Sequence, residues 1–320
     1  MSLPPPSPVP GARRERASHD FGLAVTIAGF VVFSPDALLI RLIGLDPWTL
    51  VFWRCLLVTL FLGAFTWARA GRGGRRQLFT LGKPGLLVAL LSAFSNVCFV
   101  LALTHADVAD ALVVVSIAPL FAALLSRAAL HEAVATSTWA TIALVLGATG
   151  WLFAGSAAKG SLAGTLTALA SALAIAAITV IIRQARAVSM LPAVVWGDLI
   201  AAVAAGLVAA ALSRPFTPAP GDWAPLVVMG GLVLPLGLGL VTAGPRYLPA
   251  AEVNLLSLAE TILGPLWVWW ALGEAPRAAT LGAAGIIVPA LALHSWLARR
   301  RARSERGAVP GASGPPRAKW

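Results

Sequence analysis

Apolar runs of about 20 residues recur along the whole of this 320-residue chain, each long enough to cross a hydrocarbon core roughly 30 Å thick at 1.5 Å per helical residue. They lie near 21–43, 48–68, 84–104, 107–130, 136–155, 161–182, 191–212, 225–245, 250–272 and 278–298. Hydrophobic residues make up 58% of the chain and charged ones only 12%, too few to cover the surface of a water-soluble domain of this size. The runs are apolar on all sides and rich in Leu, Ala and Val, whereas barrel strands alternate over about ten residues. The fold class expected is an all-α membrane protein with ten transmembrane helices. The first run is too long for a signal-peptide core and no small-residue cleavage motif follows it, so it is expected to be retained.

A net charge of +11 would suggest nucleic acid in a soluble protein, so the position of each Lys and Arg decides the matter. With the N-terminus inside, cytoplasmic segments carry three basic residues before residue 20, five from Arg69 to Lys83, then Arg127, Arg183, Arg186, Arg246, and seven from Arg299 onward. Only Lys159, Arg214 and Arg277 fall in outer loops, while Arg41 and Arg54 lie within or at the ends of spans. This is the positive-inside pattern. It predicts a multi-pass protein of the inner (plasma) membrane with both termini cytoplasmic, and it makes anionic lipid headgroups a sufficient partner for the basic charge, with no nucleic acid required. The N-terminal stretch 1–20, Pro-rich at its start, and the basic tail 299–320 are expected to be disordered. Cys55 and Cys98 both fall inside spans, which leaves neither a disulfide framework nor a zinc knuckle.

Sliding the sequence against itself brings landmarks into one register at an offset of 142 residues: Gly22 onto Gly164, Arg41 onto Arg183, Ala109 onto Ala251, Asp110 onto Glu252, Leu120 onto Ile262 and Glu132 onto Glu274. The units are 21–155 and 161–298, joined near residues 155 to 160. Five spans per unit is an odd number, so the second unit must enter the membrane from the opposite side. Inverted five-helix repeats of this kind suit alternating access around a site near the midplane.

The segments "DPWTLVFWRCLL" (46–57), "ALTHADVADALVVVSIAPLFAALLSRAALHE" (102–132) and "YLPAAEVNLLSLAETILGPLWVWWALGE" (247–274) resemble those of the drug/metabolite transporter superfamily and, within it, the EamA-type ten-helix transporters. The last two look like the family's paired fourth and ninth helices. The first repeat ends in "LHE" where Gly is commoner, and the ninth span reads "AET" where Glu-Pro is frequent. The resemblance implies a secondary carrier of small metabolites such as amino acids, amines or drugs, often an exporter. It also implies a cavity lined by the first, third, sixth and eighth spans, with the fourth and ninth contributing.

An ionisable side chain near the bilayer centre costs about 2.5 to 3.5 kcal/mol on insertion scales, so each needs a partner, a cavity or a function. Glu260 falls at the midpoint of the ninth span. At 100° per residue, Asn254, Ser257, Glu260 and Thr261 share one arc of about 120°. Such a stripe should face the space between the halves and bind a substrate amine, hydroxyl or proton; alternatively, Glu260 is a protonated carboxyl bonded to a neighbouring helix. Asp36 and Arg54 both lie roughly 6 Å outward of the midplane and can pair as a gate or as a static clamp. Pro35 removes one helical hydrogen bond beside Asp36 and favours a kink. Asp198 has Leu56 as its counterpart in the first repeat, an asymmetry that suits proton coupling but also fits a paired carboxylate. Asn96, with Ser92 and Ser95, either lines the cavity or holds helices together.

Trp48, Trp151, Trp223 and Trp296 read as interface anchors. Trp53 and Trp196 lie deeper, with Trp267, Trp269 and Trp270, and either wall a substrate site or pack. No G-x-x-x-x-G-K-[ST] phosphate loop occurs, which excludes direct use of ATP. The histidines His19, His105, His131 and His294 are scattered over tail, loops and last span, so neither an enzyme nor a cofactor is expected. His105 with Asp107 and Asp110 forms an outer-loop group that reads as ordinary turn polarity rather than metal ligation. A passive channel shares the ten helices and the polar interior, and it is the alternative to a carrier.

Overall fold

The computed structural model describes the backbone of residues 10–71, 78–106, 108–130, 136–156, 162–185 and 188–273, with single positions between 282 and 293. The expected tenth span, the tail after residue 298, Glu132 and Glu274 lie wholly or largely outside the described residues. The helices are α1 (Pro10–Phe33), α2 (Asp36–Leu42), α3 (Pro47–Arg69), α4 (Gly82–His105), α5 (Val108–Val115), α6 (Ala118–Ala129), α7 (Thr136–Ser156), α8 (Leu162–Gln184) and α9 (Leu191–Ala211). They continue with α10 (Trp223–Val228), a π-helical turn Met229–Val233, α11 (Leu234–Ala243), α12 (Ala250–Leu256) and α13 (Leu258–Leu272). No strand occurs among the described residues. Seven stretches among them are helical, long and apolar enough to cross a membrane. The fourth and fifth expected spans appear as shorter apolar helices. α1 begins at Pro10, ahead of the first expected span.

The breaks follow from missing amide hydrogens. Pro35 has no N–H for the carbonyl of Val31, and the Ser34 hydroxyl takes its place, donating to Val31 O at 2.7 Å where α1 gives way to α2. Pro119 ends the α5 ladder in the same way, and α6 restarts at Ala118. Pro235 follows the π turn that bends the eighth span. The ninth span breaks at Ser257 although no proline stands in "AET": the Ser257 hydroxyl donates to Asn254 O at 2.8 Å, and Asn254 Nδ2 donates to Ala250 O at 2.9 Å. These bonds draw the local polar groups back onto their own turn. Gly273, at φ 72°, closes α13 in the left-handed conformation, which explains the glycine before Glu274.

Packing crosses between the halves. The first span of each half lies against the third span of the other, α1 on α11 and α8 on α4, and the second spans α3 and α9 lie against each other. Small residues permit the close approach. A Cβ on Gly22 would stand 2.4 Å from Tyr247 Cβ and 3.4 Å from Leu248, while one on Gly164 would stand 2.8 Å from Ala106 Cβ and 3.3 Å from the His105 carbonyl carbon. Shifted by 142 residues, Gly22 becomes Gly164, His105 becomes Tyr247 and Ala106 becomes Leu248. One contact is therefore made twice, once from each half. Where the second spans meet, Leu50, Val51, Val58, Ala201, Ala202 and Ala205 are buried in one cluster, while Leu60, Phe61, Phe65, Leu86, Leu90 and Leu207 point outward and stay exposed. Water would not tolerate so wide an apolar exterior, whereas lipid would.

Candidate functional site

A cavity of about 180 Å³ lies where the halves meet. The first, third, sixth and eighth spans line it with the fourth and ninth, and the second and seventh add one residue each, Arg54 and Val194. Its wall is mostly apolar, with Phe30, Phe33, Phe99, Ile175 and Ile178 among the largest groups. The polar stripe of the ninth span faces inward: Asn254, Ser257 and Glu260 all reach the cavity. Thr261's side chain is outside the described residues.

A chain of four side chains from four spans ties the wall to the protein behind it, with Arg54 and Asn96 on the wall and Asp36 and Asp198 behind. Arg54 Nη2 donates to Asp36 Oδ2 at 2.9 Å, and its Nη1 donates to Asn96 Oδ1 at 2.7 Å. Asn96 Nδ2 donates to Asp198 Oδ1 at 2.8 Å. Asp36 and Asp198 are 0% and 1% exposed, and Arg54 is 3% exposed. The buried guanidinium thus serves two acceptors, and the chain begins on the first span of one half and ends on the second span of the other. Asp36 Oδ1, Arg54 Nε and Asp198 Oδ2 have no partner among the described residues. Glu260 lies close enough for Asp36 and Arg54 to act on it electrostatically.

Of the residues singled out from sequence, Glu260, Asn254, Ser257, Asn96 and Arg54 line the cavity, while Asp36 and Asp198 lie behind it, joined through Arg54 and Asn96. Trp53 and Trp196 do not line this cavity, and each packs instead. Trp53 Nε1 donates to Phe216 O at 2.8 Å and its ring meets Trp223 edge to face at 5.0 Å. Trp196 Nε1 donates to Leu78 O at 2.9 Å, with Phe79 against its ring. Each fastens a loop of the opposite half, because an indole that is apolar over most of its surface still needs an acceptor for its one N–H. Ser95 shares a 3.1 Å hydrogen bond with Ser171 across the halves, so it holds helices together as well as lining the cavity. Trp267 donates to Ser34 Oγ at 2.8 Å, tying α13 to the break in the first span, whereas Trp269 and Trp270 face outward. Asp107 and the Asp110 side chain are outside the described residues, and among those described no cluster of three metal-ligating side chains exists. Sequence reasoning missed Phe30, Phe33, Phe99 and Thr179, since an apolar residue on a cavity wall and one facing lipid carry the same signal within an apolar span.

At the end of the bundle that carries residues 43–47, three contacts tie the two halves together. Arg214 Nε pairs with Asp46 Oδ1 at 3.3 Å, the amide of Gly44 donates to Asp222 Oδ1 at 3.1 Å, and the Thr49 hydroxyl donates to Pro215 O at 3.1 Å. Toward the other end the wall descends through Ile182, Val194, Pro245 and Val253.

The EamA-like transporter family matches residues 21–154 and again 162–296, one match in each half. The chain belongs to the EamA-like transporter family. No curated protein matches it. Among solved structures 29 chains are similar. One, described as "Crystal structure of protein", has a TM-score of 0.73 at 22% identity over 88% of this chain and 99% of that one, a likeness of fold. As an EamA-like protein this chain is a multi-pass membrane transporter of small solutes, of a family of transporters rather than enzymes. Its cavity between the two EamA repeats is the candidate site.

Proposed function

We propose that this EamA-like protein is a secondary active transporter, an exporter of small metabolites such as amines, drugs or amino acids across the inner membrane by alternating access. The observation that carries the reading is the pairing of a central cavity with one latched end. Asp46–Arg214, Gly44–Asp222 and Trp53–Phe216 tie the loop 212–222 of the second half to the first half on one side, and the cavity reaches toward the other. With both termini cytoplasmic, the latched end is the outer one, and the arrangement is the inward-facing member of a two-state pair.

Reciprocal Gly22 and Gly164 contacts support two inverted five-helix repeats, ten helices in all, that rock about a shared axis. Glu260 and Asp198 bind a proton or a substrate amine, Asn254, Ser257 and Asn96 furnish the neutral polar wall, and Asp36 with Arg54 helps close the outer side. Basic loops on the cytoplasmic face contact anionic headgroups.

Bridging the latch tests this. Asp46→Cys and Arg214→Cys, joined by a short bifunctional maleimide, leave the buried Cys55 and Cys98 untouched. In a carrier the bridged protein stops transporting while the unbridged double variant still works. Flux that persists through the bridged protein would sink alternating access and favour the channel.

A further inference from the structure

Two charged side chains reach the cavity wall, Arg54 and Glu260. Arg54 is already committed: Asp36 and Asn96 take its two terminal nitrogens, and its remaining Nε is buried. Asn96 is committed as well, its carbonyl oxygen to Arg54 and its amide to Asp198. The Asn254 amide and the Ser257 hydroxyl are turned onto backbone carbonyls of their own helix. Glu260 differs from all of these, because its carboxylate has no hydrogen-bond partner among the described residues while the group lines the cavity. An ionised carboxylate facing apolar walls is costly until a cation or proton meets it. The opposite charge has no equivalent offer, since no uncommitted guanidinium or ammonium faces the space among the described residues.

We infer that the cavity takes a small organic monocation with an apolar or aromatic body and no carboxylate of its own, its charged nitrogen held by Glu260 and its body packed among Phe30, Phe33, Phe99 and Ile178. This rests on the carrier reading and narrows its substrate class from metabolites at large to amines and related cations. A zwitterionic amino acid is disfavoured because its carboxylate would lie in an apolar space with no free cationic donor. The cavity, about 180 Å³, is below the roughly 300 to 1,000 Å³ of pockets for drug-sized ligands, which suits a small occupant. The aromatic walls add a face for the cation.

The test uses three probes with the same ring and different charge: phenethylamine, phenylalanine and phenylacetate. Each is titrated by calorimetry into the full-length protein in detergent at neutral pH. Phenethylamine should bind saturably, phenylalanine at least tenfold more weakly, and phenylacetate not measurably. Glu260→Gln should weaken phenethylamine at least tenfold, and Glu260→Asp should retain part of the affinity, with melting curves verifying that both variants fold. If Glu260→Gln does not fold, the ranking of the probes on the unmodified protein decides alone. Phenylalanine or phenylacetate binding as tightly as phenethylamine, or no phenethylamine binding at all, would overturn the assignment. Counterflow of whichever probe binds, measured in liposomes, tests the carrier reading separately: binding without counterflow leaves the cation site standing and removes the carrier.

Discussion

Asn96 donates its side-chain amide to Asp198 at 2.8 Å, joining the third span of the first half to the second span of the other half. Its other amide atom accepts from Arg54 at 2.7 Å, so one neutral side chain keeps a buried cation and a buried anion in register. Asn96→Leu removes both bonds while keeping the branching of the side chain's heavy atoms, leaving Arg54 Nη1 and Asp198 Oδ1 unsatisfied. At about 1 to 3 kcal/mol for each orphaned group, thermal unfolding in detergent should occur well below that of the parent. Asp198→Asn keeps an acceptor in place and should shift the melt far less.

Asp36 and Arg54 behave as a pair in which removing one member is worse than removing both. Arg54→Met strands the buried Asp36 carboxylate and is expected to destabilise by roughly 3 to 5 kcal/mol, whereas Asp36→Leu combined with Arg54→Met should recover much of that loss. A double-mutant cycle on unfolding measures the coupling. If the double variant is stable yet fails to transport, the pair acts as a gate; if it transports normally, the pair is a clamp.

Gly22 and Gly164 give a direct check of the reciprocal contacts. Alanine in a helix interior is favoured over glycine by up to about 1 kcal/mol, but the added carbon would stand 2.4 Å from Tyr247 Cβ or 2.8 Å from Ala106 Cβ. Overpacking costs about 1 to 3 kcal/mol and should outweigh that gain, so Gly22→Ala and Gly164→Ala should both lower the melting temperature. Gly239→Ala, where nothing lies within 4 Å, should be neutral or slightly stabilising. Equal effects at the three positions would argue against the close approach.

The pH dependence has a defined sign. A cation binds the ionised carboxylate of Glu260 on the cavity wall, so lowering the pH on the cavity side should weaken cation binding by proton competition. Glu260→Gln should flatten that dependence, and Asp198→Asn, acting through Asn96 and Arg54, should alter it less. If both substitutions leave transport and its pH profile unchanged, proton coupling through this cluster is wrong.

The register of the two repeats was legible because glycines at 22 and 164 and matching acidic residues recur at one offset, and the packing at those glycines shows why that register matters. The kink at Pro35 was legible from its missing N–H. The break at Ser257 was not, since it comes from two side chains bonding back to their own turn. Depth along a span drew attention to Glu260, Asp36, Arg54 and Asp198 alike, but it could not distinguish wall residues such as Glu260 and Arg54 from Asp36 and Asp198, which lie behind the wall. Trp53 and Trp196 stayed open between wall and packing for a related reason: depth alone does not say where an indole N–H finds its acceptor, and here it finds a loop carbonyl of the other half.

Counterflow in proteoliposomes is the most direct measurement: vesicles loaded with unlabelled amine and diluted into a trace of the same labelled amine. A carrier accumulates label transiently above its equilibrium level, with an initial rate that saturates as the outer amine is raised. Label that only equilibrates, at a rate linear in concentration, would contradict alternating access around the cavity.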